Sequence, residues 1–234
     1  MQGKKSASLK PSKATPPKPT PPKLGPRLQS AFRYAAEKHE GQARKQTSVP
    51  YLSHLMAVAS LVLEAGGDEE MAIAALLHDV VEDCGGMPRL REVRKLFGDR
   101  VAKIVEGCTD SFSDPKLEWK QRKDDYLEHL KHADLETRSV SAADKLHNVR
   151  TILTDYRKDG EKIWERFSGK KDGTLWYYRA LSDEYQRTSN RLTSELAITL
   201  SELEEAVSKN TPRSGGSRKR AIDNVSQPRR SNGR

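Results

Sequence analysis

A histidine–aspartate pair, His78 followed by Asp79, comes directly after the apolar run Ala-Ala-Leu-Leu. Glu82 and Asp83 follow one helical turn later, which on a helix brings position 78 near 82, and 79 near 82 and 83. Three carboxylates and an imidazole beside an apolar core repel and lose solvation unless a cation or a solvent pocket compensates. The cluster is therefore a candidate cation site, but it also fits a helix end that emerges into water.

Two other stretches offer ligands of the same types. His54 ends the run Pro-Tyr-Leu-Ser-His at the start of an apolar helix, and Asp144 lies inside the stretch Ala-Ala-Asp-Lys-Leu-His-Asn. Two histidines and two aspartates give mixed nitrogen and oxygen ligation, which suits manganese or iron better than a metal that prefers thiolates. These side chains converge only if three helices meet. Taken singly, His54 also fits a buried core histidine, and Asp144 fits the partner of a lysine or arginine.

The elements that must position these residues are helices. Apolar residues recur at intervals of three and four, without the strand-like alternation that flanks hairpin turns. The sequence therefore predicts an all-α fold. The third helix, with Asp68 as its N-cap, is apolar all round in its first half and is predicted to be buried. The predicted helices span 27–39, 54–64, one continuous segment from 69 through the His-Asp pair to 84, 88–97, 101–108, 117–132, 135–156 and one long helix beyond 173.

The positive charge of the chain is concentrated at its ends. The 234 residues carry a formal net charge of +9. Residues 1–26 contain six lysines and no acidic residue, whereas 209–234 contain eight basic residues and one acidic residue, which leaves −4 on the 182 residues between them. Few apolar residues, and seven prolines in the first segment, predict two disordered basic tails around one folded domain at 27–208. The net charge is thus no argument for nucleic-acid binding by the domain itself.

Cysteine content and hydropathy constrain the compartment. Cys84 and Cys108 are too few for a disulfide framework, and neither belongs to a Cys-x-x-Cys metal pair. The basic N-terminus lacks the apolar segment of a secretory signal, and the most apolar stretches are far shorter than the roughly 20 residues needed to span a bilayer. We therefore expect a reduced, soluble, cytoplasmic protein without a membrane partner.

The order of these motifs resembles the HD-type hydrolase domain of the RelA/SpoT alarmone enzymes. The resemblance covers about residues 28–185 and rests on Arg44-Lys45, the Pro-Tyr-x-x-His run, AALLHDVVED, Phe97-Gly98, Gly107-Cys-Thr, and ADKLHN followed by Arg150-Thr151. It implies an all-α helical bundle of the HD-domain, metal-dependent phosphohydrolase type. Because no synthetase-like or regulatory region follows, it also implies a stand-alone small alarmone hydrolase.

The resemblance assigns roles residue by residue. It implies that one divalent metal ion, usually manganese in this family, with iron or zinc still open, is bound by His54, His78, Asp79 and Asp144. Glu82 and Asp83 become the catalytic pair that positions and activates the attacking water. The implied reaction removes the 3′-pyrophosphate from guanosine tetra- or pentaphosphate and yields pyrophosphate with GDP or GTP. A bound cation lowers the pKa of water and offsets phosphate charge, while a carboxylate accepts the proton.

The same resemblance implies four substrate-binding residues, namely Arg44, Lys45, Asn148 and Thr151. Arg44 stacks on the base in this scheme, which a planar guanidinium can do and an ammonium cannot. Asn148 and Thr151 follow Asp144 at i+4 and i+7, so the three share one helix face. Three positions depart from the usual family pattern without removing a ligand or a catalytic carboxylate: Leu55, Cys84 and Lys145 stand where proline, threonine and arginine are common.

Other functions stay open at this stage. The same fold could hydrolyse another nucleotide, such as an adenosine polyphosphate ((pp)pApp) or NADPH. A third hypothesis is a binding protein whose basic tails attach it to nucleic acid, a partner that would be reached only through those tails. The sequence does not decide the oligomeric state, and a homodimer stays open.

Overall fold

The computed structural model describes residues 20–110, 112 and 117–210. The predicted basic tails lie largely outside these ranges. Of their described residues, Pro26 already begins the first helix and Lys209 lies in the last one. The disorder of the tails and the domain limits at 27 and 208 therefore stay predictions.

Regular structure in the described ranges is helical, which confirms the all-α prediction. In these ranges two short 3₁₀ helices, Gly160–Arg166 and Gln186–Thr188, accompany ten α-helices. The ten are α1 (Pro26–Lys38), α2 (Leu52–Glu64), α3 (Glu69–Leu77), α4 (Val80–Cys84), α5 (Gly86–Phe97), α6 (Asp99–Cys108), α7 (Trp119–His132), α8 (Leu135–Asp159), α9 (Lys170–Tyr185) and α10 (Arg191–Asn210).

Helix α8 is the element around which the others are arranged. It packs against α2, α3, α6, α9 and α10, and most of its buried residues are apolar. Burial of such side chains contributes on the order of 1.5–3 kcal/mol each. Asp144 lies midway along this helix and is buried with its neighbours Ala143 and Leu146. The core of the domain thus holds the Asp144 carboxylate in place.

Local interactions fix where α3 starts and how closely α8 approaches α6. The carboxylate of Asp68 accepts a hydrogen bond from the backbone N–H of Met71 at 3.0 Å, which confirms the predicted N-cap. Gly107 lies where α6 meets the first turn of α8, and a Cβ there would lie 2.5 Å from Cγ2 of Thr137. Only glycine permits this close approach.

The prediction of one continuous third helix is wrong. The helix ends at Leu77 and resumes as α4 at Val80, with His78 and Asp79 between the two segments. Asp79 adopts φ −97° and ψ −5°, which opens the turn, although its carbonyl still accepts the backbone N–H of Asp83 at 2.9 Å. Apolar spacing could not reveal this break because burial continues on both sides of it.

The prediction of one long C-terminal helix is also wrong. Helix α9 ends at Tyr185, and α10 begins after Asn190, whose side chain accepts the backbone N–H of Thr193 at 3.0 Å. The buried guanidinium of Arg138 donates to the carbonyl of Glu184 at 2.5 Å and to the hydroxyl of Thr188 at 2.8 Å. These interactions stabilise the bend, while buried apolar residues continue from Leu181 on α9 to Leu192 on α10.

No helix in the described ranges has both the length and the apolar character required to cross a membrane.

Candidate active site and metal centre

Three parts of the fold bring the predicted metal ligands together. His54 lies in the first turn of α2, His78 and Asp79 lie between α3 and α4, and Asp144 lies midway along α8. One nitrogen from each histidine and one oxygen from Asp144 lie within 4.8 Å of one another. His54, His78 and Asp144 are buried, whereas the Asp79 side chain is partly exposed. We refer to these four residues as the ligand cluster.

The imidazoles of the ligand cluster face its carboxylates. Nε2 of His54 lies 3.2 Å from Oδ1 of Asp144, and Nε2 of His78 lies 2.9 Å from Oδ2 of Asp79. The crossed distances, from Nε2 of His54 to Oδ2 of Asp79 and from Nε2 of His78 to Oδ1 of Asp144, are both 3.7 Å. Each ring nitrogen is therefore close to both acids.

The opposite ring nitrogens are occupied by other partners. Nδ1 of His78 lies 2.8 Å from the carbonyl oxygen of Ala75, and because a carbonyl only accepts, this nitrogen carries the proton. Nδ1 of His54 lies 2.8 Å from Nδ1 of His147, where one ring must donate to the other. Burial is the main cause that lowers the pKa of His147 to about 4. The neutral ring of His147 can thus accept a hydrogen bond from the Nδ1–H group of His54.

Both Nε2 atoms are buried and lack a hydrogen-bond partner among the described residues. A buried polar atom left in this state costs on the order of 1–3 kcal/mol. A neutral imidazole with its proton on Nδ1 presents a lone pair at Nε2, which is the form that binds a metal. The ligand cluster therefore fits a divalent cation, with two nitrogen and two carboxylate donors.

The two carboxylates of the ligand cluster also accept hydrogen bonds from residues outside the cluster. Nζ of Lys145 donates to Oδ2 of Asp144 at 2.6 Å, and Asn148 donates to Oδ1 of Asp144 at 2.5 Å. The hydroxyl of Tyr51 donates to Oδ2 of Asp79 at 2.5 Å. Burial opposes ionisation, yet Lys145 holds the pKa of Asp144 well below its usual range, and the charge of the protonated His78 ring does the same for Asp79. Both acids are therefore anionic at neutral pH.

Lys145 is the departure from the family pattern whose environment is most unusual. Its side chain is only 15% exposed, and its ammonium lies 5.3 Å from the centre of the Tyr126 ring. Burial opposes its charge, but the Asp144 carboxylate raises the pKa of Lys145 well above the usual range. The residue is thus a permanent cation that neutralises the outer oxygen of Asp144.

The predicted catalytic carboxylates lie on α4, directly after the ligand cluster in sequence. Oε1 of Glu82 lies 3.9 Å from Nη1 of Arg122, and Oδ2 of Asp83 accepts a hydrogen bond from the side-chain amide of Gln42 at 2.9 Å. Glu82 is partly buried and Asp83 is exposed. Each carboxylate therefore has a neighbour that limits its movement.

A cavity of about 300 Å³ opens beside the ligand cluster. Its lining includes Asp79 and Asp144 together with the predicted substrate-binding residues Arg44, Lys45, Asn148 and Thr151. Its lining also includes Asp155, Arg166 and Phe167, which were not anticipated from sequence. The ligand cluster and the predicted substrate-binding residues therefore open into one space.

Within this cavity, Arg44 is preorganised by two contacts. Its Nη2 donates to Oδ1 of Asn148 at 2.6 Å, and its guanidinium carbon lies 5.7 Å from the centre of the Tyr51 ring. The hydroxyl proton of Thr151 is already engaged, because it is donated to the backbone carbonyl of His147 at 3.0 Å. Arg150 points away and pairs with Glu195, a structural ion pair.

Sequence reasoning missed three charged residues near the predicted catalytic residue Glu82, namely Asp110, Arg122 and Lys123. Nη1 of Arg122 lies 2.8 and 2.9 Å from the two oxygens of Asp110, and Lys123 pairs with the same carboxylate. Burial lowers the pKa of Lys123, and Asp110 opposes that change. These residues belong to a predominantly polar helix and the loop before it, where no apolar context distinguishes a buried charge from a solvated one.

Comparison with known proteins places this geometry in a family. The family model described as "HD domain" matches residues 31–175. A guanosine-3′,5′-bis(diphosphate) 3′-pyrophosphohydrolase, MESH1 of Danio rerio, is 39% identical over 128 residues, which cover 53% of this chain and 68% of that protein. An Aquifex aeolicus protein named guanosine-3′,5′-bis(diphosphate) 3′-pyrophosphohydrolase is 36% identical over 139 residues, which cover 58% of this chain but only 19% of that protein.

A solved structure agrees with these relatives. A metazoan ortholog of SpoT, described as hydrolysing ppGpp, matches with a TM-score of 0.63 and 30% sequence identity, covering 78% of this chain and 96% of the other. Fold, motif order and relatives lead to the same assignment. The chain belongs to the HD domain family and, within it, to the RelA/SpoT-type (p)ppGpp hydrolases.

Proposed function

We propose that this protein hydrolyses the 3′-pyrophosphate of guanosine 3′,5′-polyphosphates, converting (p)ppGpp to GDP or GTP and pyrophosphate. The observation that carries the proposal is the ligand cluster, in which the buried Nε2 atoms of His54 and His78 face two anionic carboxylates and lack hydrogen-bond partners among the described residues. Enzymes of this family are metal-dependent, and a cluster of this composition has little use without a cation.

The metal we propose is manganese, held by His54, His78, Asp79 and Asp144. Mixed imidazole and carboxylate donors suit manganese or iron more than a metal that prefers thiolates. When bound, the cation would lower the pKa of water and offset the charge of the phosphate groups. The outer contacts from Tyr51 and Lys145 orient the two carboxylates, which is the usual task of such neighbours.

Glu82 and Asp83 are the proposed catalytic pair. Glu82 is the general base that takes the proton of the attacking water, and Asp83 orients that water toward the phosphorus. A carboxylate suits this role because it can accept a proton in the transition state. Arg122 offsets part of the charge of Glu82, so that two anionic side chains are tolerated beside an anionic substrate.

The cavity residues are the proposed nucleotide site. Arg44 offers a planar guanidinium for stacking on the base and Lys45 offers an ammonium for phosphate, which are the different tasks these two side chains suit. Asn148 and Thr151 present polar groups on the same face of α8 for the ribose and base. The folded domain that carries these residues is proposed to span 27–208, and the protein is proposed to act in the cytoplasm.

A direct assay tests the function. The purified chain with Mn²⁺ is incubated with ppGpp, and pyrophosphate and GDP are quantified, with a chelator as the control. Parallel reactions with an adenosine 3′,5′-polyphosphate and with NADPH compare the other nucleotides. We expect the guanosine nucleotide to give the highest kcat/KM. If ppGpp released no pyrophosphate while another nucleotide was hydrolysed, the proposed substrate would be wrong and the fold assignment would stand.

A further inference from the structure

The loop between α1 and α2 contains a glutamine whose side chain joins two parts of the site. Oε1 of Gln42 lies 2.6 Å from Nδ1 of His39, and Nε2 of Gln42 donates to Oδ2 of Asp83 at 2.9 Å. An amide oxygen only accepts, so Nδ1 of His39 is the donor of the first bond. That bond fixes the orientation of the amide and directs its NH₂ group toward Asp83.

His39 is itself held firmly. Its side chain is only 4% exposed, and its ring stacks on that of Tyr51 with centres 5.2 Å apart and planes inclined by 21°. The hydroxyl of Tyr51 in turn donates to Asp79. The stacked rings of His39 and Tyr51 therefore link two carboxylates of the site. His39 reaches Asp83 of the proposed catalytic pair through Gln42, and Tyr51 binds the proposed metal ligand Asp79 directly.

The backbone of the loop makes this arrangement rigid. Gln42 donates its N–H to the carbonyl of His39 at 3.1 Å and accepts the N–H of Tyr51 at 2.9 Å. Ala43 and Pro50 form an isolated antiparallel bridge across the loop. Gly41, at φ +70°, supplies the left-handed turn that aims the next side chain inward.

We propose that Gln42 is a positioning residue for Asp83. The inference rests on the proposed function, because it concerns the geometry of one carboxylate of the proposed catalytic pair. Asp83 is exposed on α4, a helix of five residues that ends at Cys84 and is followed by Gly85. The Gln42 amide engages Oδ2 and so limits the rotation of the Asp83 carboxylate. A misplacement of about 1 Å at a reacting group can lower a rate by about 100-fold.

Two substitutions separate this role from a general effect on folding. Gln42→Met retains the side-chain length and removes both bonds. Gln42→Glu retains an acceptor for His39 but places a carboxylate against Asp83. The hydrogen bond to Asp83 is thereby replaced by repulsion between two negative charges. The matched control is Gln121→Met on α7, because Gln121 donates an equivalent amide bond to Asp125 at 2.7 Å on the exposed surface.

The measurements are kcat and KM for ppGpp, Mn²⁺ affinity by calorimetry without nucleotide, and the melting temperature. We expect Gln42→Met to lower kcat by about 10- to 100-fold, the usual cost of removing a residue that orients a functional group. KM and Mn²⁺ affinity should stay within about twofold, and Gln42→Glu should be slower still because like charges repel. Gln121→Met should match the wild type.

Some outcomes would overturn the inference. A kcat for Gln42→Met within twofold of that for Gln121→Met would do so, as would a loss of kcat that merely follows a loss of Mn²⁺ affinity. If Gln42→Met did not fold, Gln42→Glu would decide, since it preserves the His39 bond. A wild type inactive on ppGpp would count against the proposed function instead, and the same variants on the nucleotide that is hydrolysed would still test Gln42.

Discussion

Two clusters of acidic side chains in this protein differ in burial and in how their carboxylates are paired. The ligand cluster is mostly buried, and its inner nitrogen atoms face two carboxylates without hydrogen bonds. The second, which we call the Arg100 cluster, consists of Arg100 with Asp68, Glu70 and Glu136 on the surface. There Arg100 lies 2.7 Å from Asp68, 2.9 Å from Glu70 and 2.7 Å from Glu136. Each acid of the Arg100 cluster is thus paired with the same guanidinium.

The difference shows which feature indicates a cation site. In both clusters several acids converge on one point, so the number of acids does not distinguish them. In the Arg100 cluster every carboxylate has a donor and partial access to water. In the ligand cluster Lys145 pairs with Oδ2 of Asp144, and the buried Nε2 atoms of His54 and His78 face the carboxylates without hydrogen bonds. Buried imidazole nitrogens without hydrogen bonds that face anionic carboxylate oxygens are therefore the feature that indicates a cation site.

The strongest test of this contrast is Asp79→Asn. The amide keeps the shape of the side chain but loses the negative charge that the cation requires. We expect Mn²⁺ binding and turnover to be lost together, with kcat reduced by at least about 10⁴-fold because both charge stabilisation and water activation depend on the cation. Calorimetry with Mn²⁺ and a pyrophosphate-release assay measure the two effects. Retention of Mn²⁺ affinity would remove Asp79 from the ligand cluster.

Glu82→Gln should separate metal binding from chemistry. Glu82 lies on α4 outside the ligand cluster, so the variant should bind Mn²⁺ as the wild type does. Loss of the general base should lower kcat by about 10²- to 10³-fold, within the usual range for proton transfer. The same two assays report the result, with Asp79→Asn as the contrasting variant. A near-normal kcat in Glu82→Gln would refute the general-base role.

Sequence predicted the ligand cluster better than it predicted the helices that hold it. His54, His78 and Asp144 could be selected because each interrupts or borders an apolar stretch, where a polar side chain is costly to bury without a partner. The break of α3 at His78 and the bend after Tyr185 gave no such signal. Apolar spacing records burial, and burial continues through both breaks, so spacing alone could not locate them.

The residues that complete the site escaped detection for a related reason. Arg122 and Lys123 belong to a polar helix, and Gln42 lies in a loop. Their importance comes from contacts with Asp110 and Asp83 that join distant parts of the chain. Spacing within a single segment carries no information about such contacts. They become visible only in the folded structure, where Arg122 lies 3.9 Å from Glu82 and Gln42 lies 2.9 Å from Asp83.

Metal-linked stability is a smaller but informative difference between the clusters. Because Mn²⁺ should bind the folded state alone, it should stabilise the protein by about 2.7 kcal/mol when present at 100 times its dissociation constant. Thermal unfolding with Mn²⁺ and with a chelator measures this effect. Asp79→Asn should show no such increase, whereas a substitution in the Arg100 cluster should leave it intact. An equal increase in Asp79→Asn would place the cation elsewhere.

The smallest expected effect comes from Arg100→Met. Removal of the guanidinium leaves Asp68, Glu70 and Glu136 to repel one another, but Arg100 is 38% exposed and solvent screens the charges. Exposed pairs contribute roughly 0.2–1 kcal/mol each, so we expect a loss of about 1 kcal/mol in the free energy of unfolding.

This loss should shrink at high salt, because ions screen the repulsion between the three acids. Denaturant unfolding at low and high salt measures it, and Arg94→Met, which removes longer contacts to Asp99 and Glu106, is the control. The kcat of Arg100→Met should stay within about twofold, since the cluster lies apart from the cavity-lining residues. A tenfold fall in kcat with an intact fold would mean that the Arg100 cluster also contributes to catalysis. The contrast between the Arg100 cluster and the ligand cluster would then be wrong.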